Sequence, residues 1–221
     1  MAGQRRGRKI VMAERGVGKK IKDLLFPYFC ADCGKEGEWW CKNCLEKEQN
    51  CAKIKAESGL NAVSALFNYE EHSPVGYLIK QFKYNYVKDI SALWQNIMVE
   101  KSVQFEKNAV LVPVPLYPKR ERERGYNQAE IICELIAGVT GLKVLSGKLL
   151  RVRHTKQQAK LDRQERAENV KGAFVWVGDL PSGSVVLVDD VYTTGATMKE
   201  CTVVLNRAGI QNVSGFVLAH G

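Results

Sequence analysis

Histidine is scarce in this 221-residue chain, present only at positions 72, 154 and 220, so imidazole-based acid–base or metal chemistry has few places to occur. His154 lies at the start of a polar, basic stretch and reads as an exposed residue. His72 and His220 carry no specific signal. No apolar run approaches the roughly 18 residues that a membrane-spanning helix requires. The N-terminus also lacks the apolar core of a secretion signal, so the expectation is a cytoplasmic protein with no membrane insertion. No G-x-G-x-x-G follows a predicted strand, and no G-x-x-x-x-G-K-[ST] occurs, which excludes the standard dinucleotide and P-loop sites. Outside residues 30–51 only two cysteines occur, Cys133 and Cys201, and both fall in helical patterns that read as core.

What is present is distributed unevenly. Of the net charge of +9, residues 1–22 supply +7, from eight Lys/Arg against Glu14. Rich in glycine and poor in apolar residues, this segment reads as a basic arm. A solvated tail and a contact to nucleic-acid phosphates are the two readings it supports. Next come Cys30-x2-Cys33 and Cys41-x2-Cys44, two knuckles at a separation that lets four thiolates converge on one tetrahedral zinc. Without a secretion signal, disulfides are the weaker reading. Four protein ligands leave no open coordination position, so the zinc would be structural. Cys51 reads as a spare thiol, and Trp39 and Trp40 can shield the site.

From about residue 60 the pattern alternates between strands and helices. Predicted strands cover residues 61–69, 109–114, 173–177, 184–188 and 213–218, with a further extended piece near 143–150. Helices are expected over 74–82, 90–99 and 127–137. The fold class is therefore α/β, a mostly parallel sheet flanked by helices. The expected division is a basic arm (1–22), a zinc module and hood (23–58) and an α/β domain (59–221).

The most informative stretch runs from Val185 to Thr197. A buried apolar strand delivers Asp189 and Asp190, and Thr193, Thr194, Gly195, Ala196 and Thr197 then open a helix. Free N–H groups at that helix start, with the threonine hydroxyls, suit a phosphate dianion, and Gly195 permits close approach. The carboxylates suit ribose hydroxyls a few ångströms away, or a magnesium ion held by the same molecule. Together they specify a sugar phosphate.

This stretch closely resembles the phosphoribosyl pyrophosphate (PRPP) motif of type I phosphoribosyltransferases. The resemblance implies that Asp189 and Asp190 contact the ribose and that residues 193–197 take the 5-phosphate, with magnesium accompanying PRPP. The basic segment after Val112-Pro113-Val114-Pro115 occupies the serial position of the pyrophosphate loop, which makes Lys119, Arg120 and Arg124 candidate ligands. Residues 151–172 correspond to a flexible loop with Lys156, Arg163 and Arg166 as candidates to cover the pyrophosphate; an exposed helical arm is the alternative. No dedicated general base is evident.

In order along the chain, the four-cysteine module, Lys80-x2-Lys83-Tyr84, Val-Pro-Val-Pro, Arg124-Gly125-Tyr126-Asn127-Gln128-Ala129, Thr155-Lys156-x-Gln158, Glu165-Arg166-x2-Asn169-x2-Gly172-Ala173-Phe174 and the PRPP motif resemble the ComF (ComFC, late-competence) family over residues 18–219. That resemblance implies a phosphoribosyltransferase-like protein associated with DNA uptake in natural transformation, with single-stranded DNA and DNA-uptake proteins as partner classes. Two functions stay open: a transferase with an unread acceptor, and a PRPP-responsive adaptor that turns over slowly or not at all. Trp39, Trp40, Tyr84 and Tyr86 are the aromatics able to stack a base, or to serve as core and lid residues.

Overall fold

A computed structural model describes residues 27–48, 59–84, 87–155 and 162–221. The basic arm, Cys51, Tyr86 and Lys156 lie outside the described residues, as does the side chain of Arg163. No described helix is long and apolar enough to cross a membrane.

Five strands form one parallel sheet: β1 (Val63–Asn68), β2 (Val110–Pro113), β3 (Lys143–Val144), β6 (Val185–Tyr192) and β7 (Val213–His220), in the spatial order β1-β7-β6-β2-β3. Two short strands, β4 (Leu149–Arg151) and β5 (Phe174–Trp176), pair antiparallel as a separate ribbon. The central strands are near-continuous apolar runs because parallel strands are covered on both faces. In β6, residues 185–188 are all buried.

Helices supply those covers through stripes spaced three and four residues apart. Helix α2 (Pro74–Tyr84) buries Val75, Leu78, Ile79 and Phe82. Helix α3 (Val87–Glu100) buries Ile90, Trp94, Ile97 and Met98, and α5 (Gln128–Thr140) buries Ala129, Ile132, Cys133 and Ile136. These three pack with Val186, Val188, Leu111 and Phe216 on one face of the sheet. On the other face, α7 (Ala196–Arg207) packs Met198, Cys201 and Leu205 against Val112, Val185, Leu187 and Val217, together with Leu149 and Phe174 of the ribbon. Cys133 and Cys201 are accordingly core residues.

The cysteine module is continuous with the first of these two cores. Its short helix α1 (Lys42–Leu45) and the turns before it bury Cys30, Trp39, Trp40, Cys41 and Cys44 in the same cluster as Phe67, Phe82 and Trp94. Phe67 of β1 is the joint: its ring lies 5.1 Å from Trp40 and 6.3 Å from Trp94.

One element differs from the sequence expectation, and a second decides between its alternatives. The stretch after the Val-Pro-Val-Pro segment is a helix, α4 (Pro118–Arg124), with Pro118 in its first turn and Gly125 closing it at φ +85°. Proline at a first helical position costs nothing, because the N–H it lacks would have no intrahelical acceptor. In the polar segment 151–172, Arg151 is buried in β4, and α6 (Arg163–Val170), in line with the helical alternative, starts from a capping box in which Asp162 and Glu165 exchange side-chain and backbone hydrogen bonds.

Truncating Phe67 to Ala should cost about 3–5 kcal/mol, the range for a buried aromatic ring that leaves a cavity. Denaturant unfolding should show this loss, and Trp40 fluorescence should report a loosened module before the sheet melts.

Candidate functional site

Strands β2 and β6 lie side by side, with Pro113 level with Val188. The chain leaves β2 through α4 and α5 to β3 on one flank, and leaves β6 through α7 to β7 on the other. Neighbouring strands whose connections diverge open a crevice at their C-terminal ends, where α/β sheets place ligands. Asp189, Asp190 and residues 193–197 stand at that crevice.

A cleft there is lined by Asp189 and residues 191–198. Gly195, at φ +72°, is the N-cap of α7 and has no side chain with which to cap it; the Ala196 N–H donates to Thr194 Oγ1 at 3.5 Å, and the helix start carries the positive end of the dipole. A Cβ on Gly195 would come within 2.2 Å of the Tyr192 hydroxyl, so both the conformation and the close approach require glycine. Thr193 receives a hydrogen bond from Arg166 of α6 at 3.2 Å. Arg166 thus stands at the threonine loop, while α6 is tied to α7 through the Gly172 N–H donating to Glu200 at 2.7 Å.

The two carboxylates point to opposite faces because they are successive strand residues. Asp190 projects toward α2, where Lys83 Nζ meets its Oδ2 at 3.0 Å. Burial works to lower Lys83, but Asp190 and Asp189 outweigh it and hold the ammonium above its ordinary value. Asp189 projects toward the ribbon and α7. Burial there, reinforced by the Asp190 charge, pushes its carboxyl up to about 7 against the pull of the Asp190 N–H, Lys83 and Arg151. Arg151 is buried, with its guanidinium over the Phe174 ring at 5.2 Å, a bond to Thr155, and its Nε without a hydrogen-bond partner among the described residues. Each carboxylate therefore has a cation on its own face, one in contact and one not.

The basic residues of the β2 exit divide. Lys119 is exposed and 4.0 Å from Glu123 on its own helix. Arg120 is half-buried and near enough to Arg151 to act on its charge. Arg124 donates to Gln128 and lies 5.1 Å over the Tyr84 ring. Tyr126 donates to the Phe82 carbonyl at 2.8 Å and Gln128 to that of Lys83 at 3.3 Å, while Asn127 donates to Val114 and caps α5. The Arg124–Gln128 turn thus clamps the end of α2 to the β2 exit. Lys83 and Arg151 were missed as site residues. Lys83 stood in a noted motif without a role, and an arginine in a polar stretch gives no sign of burial.

The four cysteines form the second site. Their sulfurs lie within 4.8 Å of one another, and those of Cys33 and Cys41 are 3.7 Å apart. A tetrahedron with bonds of roughly 2.3 Å has edges of about 3.8 Å, so the spacing fits one metal ion. All four are free thiols. Burial opposes ionisation of Cys30, but the N–H groups of Cys41, Cys33 and Asp32 outweigh it and bring the thiol down to about 6. The donor set and its amide bonds therefore suit a metal. Gly34, at φ +73°, makes the knuckle turn by donating to the Cys30 carbonyl at 3.0 Å.

No family model matches the chain. Among characterised proteins it is 31% identical over 213 residues to competence protein F of Haemophilus influenzae, covering 92% of this chain and 88% of that protein. DNA utilization protein YhgH of Salmonella typhimurium is 32% identical over 184 residues, 80% of this chain and 76% of that protein. Competence protein ComFC of Streptococcus pneumoniae is 28% identical over 201 residues, 86% of each. Among solved structures, adenine phosphoribosyltransferase from Leishmania tarentolae aligns over 76% of this chain and 94% of that one, at 12% identity and a TM-score of 0.39.

The raised Asp189 carboxyl sets a pH dependence. A folded value near 7 against about 4 when unfolded favours the protonated fold, so this stabilisation is complete below pH 4 and lost as pH rises through 7. Asp189→Asn should therefore gain on wild type between pH 5 and pH 8, by about 1–2 kcal/mol after solvent screening. Urea midpoints at the two pH values measure that gap; a gap that does not widen with pH contradicts the assignment.

Proposed function

This chain belongs to the competence protein F family, which includes ComFC and YhgH proteins, and we propose that it is a phosphoribosyltransferase-like protein that binds PRPP and serves DNA uptake. The observation that supports the PRPP reading is the juxtaposition at one strand end of a helix N-terminus, its threonine hydroxyls and a pair of carboxylates. The first fits a phosphate and the second fits ribose hydroxyls. The names of the relatives, competence and DNA utilization proteins, support the DNA-uptake role; a cytoplasmic location and single-stranded DNA as partner are proposed alongside it.

In this reading the 5-phosphate sits on residues 193–197, and Arg166, already on Thr193, closes over it. Asp189 and Asp190 accept from the ribose. Arg120 and Arg124, from the helix beside the crevice, face the pyrophosphate, with Lys119 at its outer rim. Magnesium carried by PRPP would neutralise charge on the pyrophosphate. A nucleophile would form a bond to C1 as the C1–O bond breaks, and the pyrophosphate would leave with the electron pair. The protein's contribution is orientation and electrostatics: held ribose and phosphate fix C1, and basic side chains receive the developing charge. Lys156 and Arg163 remain lid candidates by position in the chain.

The cysteine cluster is proposed to hold one structural zinc. A closed four-sulfur site supplies folding energy and not chemistry. One zinc per chain is expected, and Cys33→Ser or Cys41→Ser should lower soluble yield and thermal stability. Metal analysis and melting curves test this.

For the pocket, calorimetric titration with PRPP should show binding in wild type and a loss of about tenfold or more in Thr194→Ala, which removes a hydroxyl, and in Gly195→Ala, whose methyl distorts the loop against Tyr192. Unchanged affinity in both removes the assignment. Incubation of labelled PRPP with bases, nucleotides and single-stranded DNA, read as pyrophosphate release, separates a transferase from a PRPP-responsive adaptor.

A further inference from the structure

Asp190 is not a bare carboxylate waiting for a ligand. Its Oδ2 is met at 3.0 Å by Lys83, and both side chains are largely enclosed. The Asp189 Oδ1 accepts the Asp190 N–H at 2.8 Å. One oxygen of each carboxylate is thus engaged, and the other oxygen of each keeps its capacity to accept from hydroxyls brought to the end of β6. Lys83 itself is fixed from behind. It lies in the last turn of α2, its carbonyl accepts from Gln128, the preceding carbonyl accepts from Tyr126, and Phe82 is wholly buried. The clamp fixes the backbone from which the ammonium reaches Asp190.

A divalent cation on the acidic pair needs several oxygen ligands at about 2.0–2.6 Å. Here the ammonium occupies the Asp190 oxygen that would serve, and Arg124 adds a second positive charge nearby. We propose that Lys83 is the built-in counter-cation of the diol subsite, so that the acidic pair takes ribose hydroxyls directly and ribose 5-phosphate binds without a divalent metal. This rests on the PRPP reading of the same pocket and decides, for the acidic pair, between hydroxyls and magnesium.

Three proteins suffice for the test: wild type, Lys83→Met, which keeps the length without the charge, and Lys83→Arg, which restores charge. Zinc content and far-ultraviolet circular dichroism establish that each is folded. Ribose 5-phosphate is titrated calorimetrically with no added divalent cation and then with magnesium, and Mn²⁺ uptake by the ligand-free proteins is followed by electron paramagnetic resonance. Wild type should bind the sugar phosphate equally with or without magnesium and take up no Mn²⁺ at this pair. Lys83→Met should lose about tenfold or more without metal, recover with magnesium, and take up Mn²⁺, since an unpaired buried carboxylate pair demands a cation. Lys83→Arg should retain metal-free binding. A wild type that binds ribose 5-phosphate only with magnesium, or a Lys83→Met variant with no added Mn²⁺ uptake, overturns the proposal. If wild type binds ribose 5-phosphate in neither condition, the pocket reading falls, and with it the sugar as ligand. Mn²⁺ uptake confined to Lys83→Met would then still uphold the counter-cation role.

Discussion

Two adjacent carboxylates at the end of a strand buried on both faces are a standing electrostatic problem, and much of the structure around β6 is a response to it. Removing carboxylates from water is expensive, and like charges on neighbouring residues add to the expense. The alternation of the strand splits the pair, sending Asp190 to one face and Asp189 to the other. Each face then answers differently. Asp190 meets Lys83 in direct contact. Asp189 has Arg151 near enough to act on its charge but outside ion-pair distance among the described residues, and its carboxyl rises to about 7. The site is therefore asymmetric, with one carboxylate neutralised by a partner and the other partly by a proton.

That asymmetry depends on where two distant helix ends are held. Lys83 can reach Asp190 only because the end of α2 is clamped by the Arg124–Gln128 turn, and that turn is placed by Asn127, which binds the Val114 carbonyl at the exit of β2. Phe82, one residue before Lys83, is in the same core as the four cysteines, Trp40 and Phe67. Folding energy released by metal binding at the cysteines would thus be transmitted to the helix that carries the ammonium. The module is far from ornamental in this account. It supports one wall of the crevice.

The features legible in the sequence are those encoded locally. Apolar runs gave the parallel strands, three- and four-residue spacings gave α2, α3, α5 and α7, and paired C-x2-C knuckles gave the cluster. The carboxylates and the threonine loop are contiguous, so a single segment displays them. The Lys83–Asp190 pair was not legible, because it joins residues over a hundred positions apart and depends on three further hydrogen bonds to bring one helix end into place. Arg151 was hidden for a related reason. It opens a stretch dominated by charged and polar residues, while its burial comes with Phe174, which reaches it through the antiparallel ribbon. The segment from Pro113 onward reads as a loop in the sequence because of its three prolines and its serial match to the pyrophosphate loop. Proline in the first turn and Gly125 at the end instead frame a seven-residue helix.

The two proposed functions, transferase and adaptor, share the whole of this pocket, so features that merely bind PRPP cannot separate them. What separates them is the wall that would receive a nucleophile. There the structure offers Tyr84, 61% exposed at the end of α2, with Arg124 stacked on one side of its ring. The residue before it is Lys83. A planar acceptor stacked on Tyr84 would therefore rest on the same helix end that neutralises Asp190, and any displacement of that end on acceptor binding would be felt at the ribose. In a transferase this coupling would align C1 only when both substrates are present. In an adaptor the same coupling would let PRPP occupancy alter how Tyr84 and Arg124 are presented to single-stranded DNA. Either way, the element that the proposed ligand and the proposed partner would share is the helix end carrying Lys83 and Tyr84, and not the phosphate cradle.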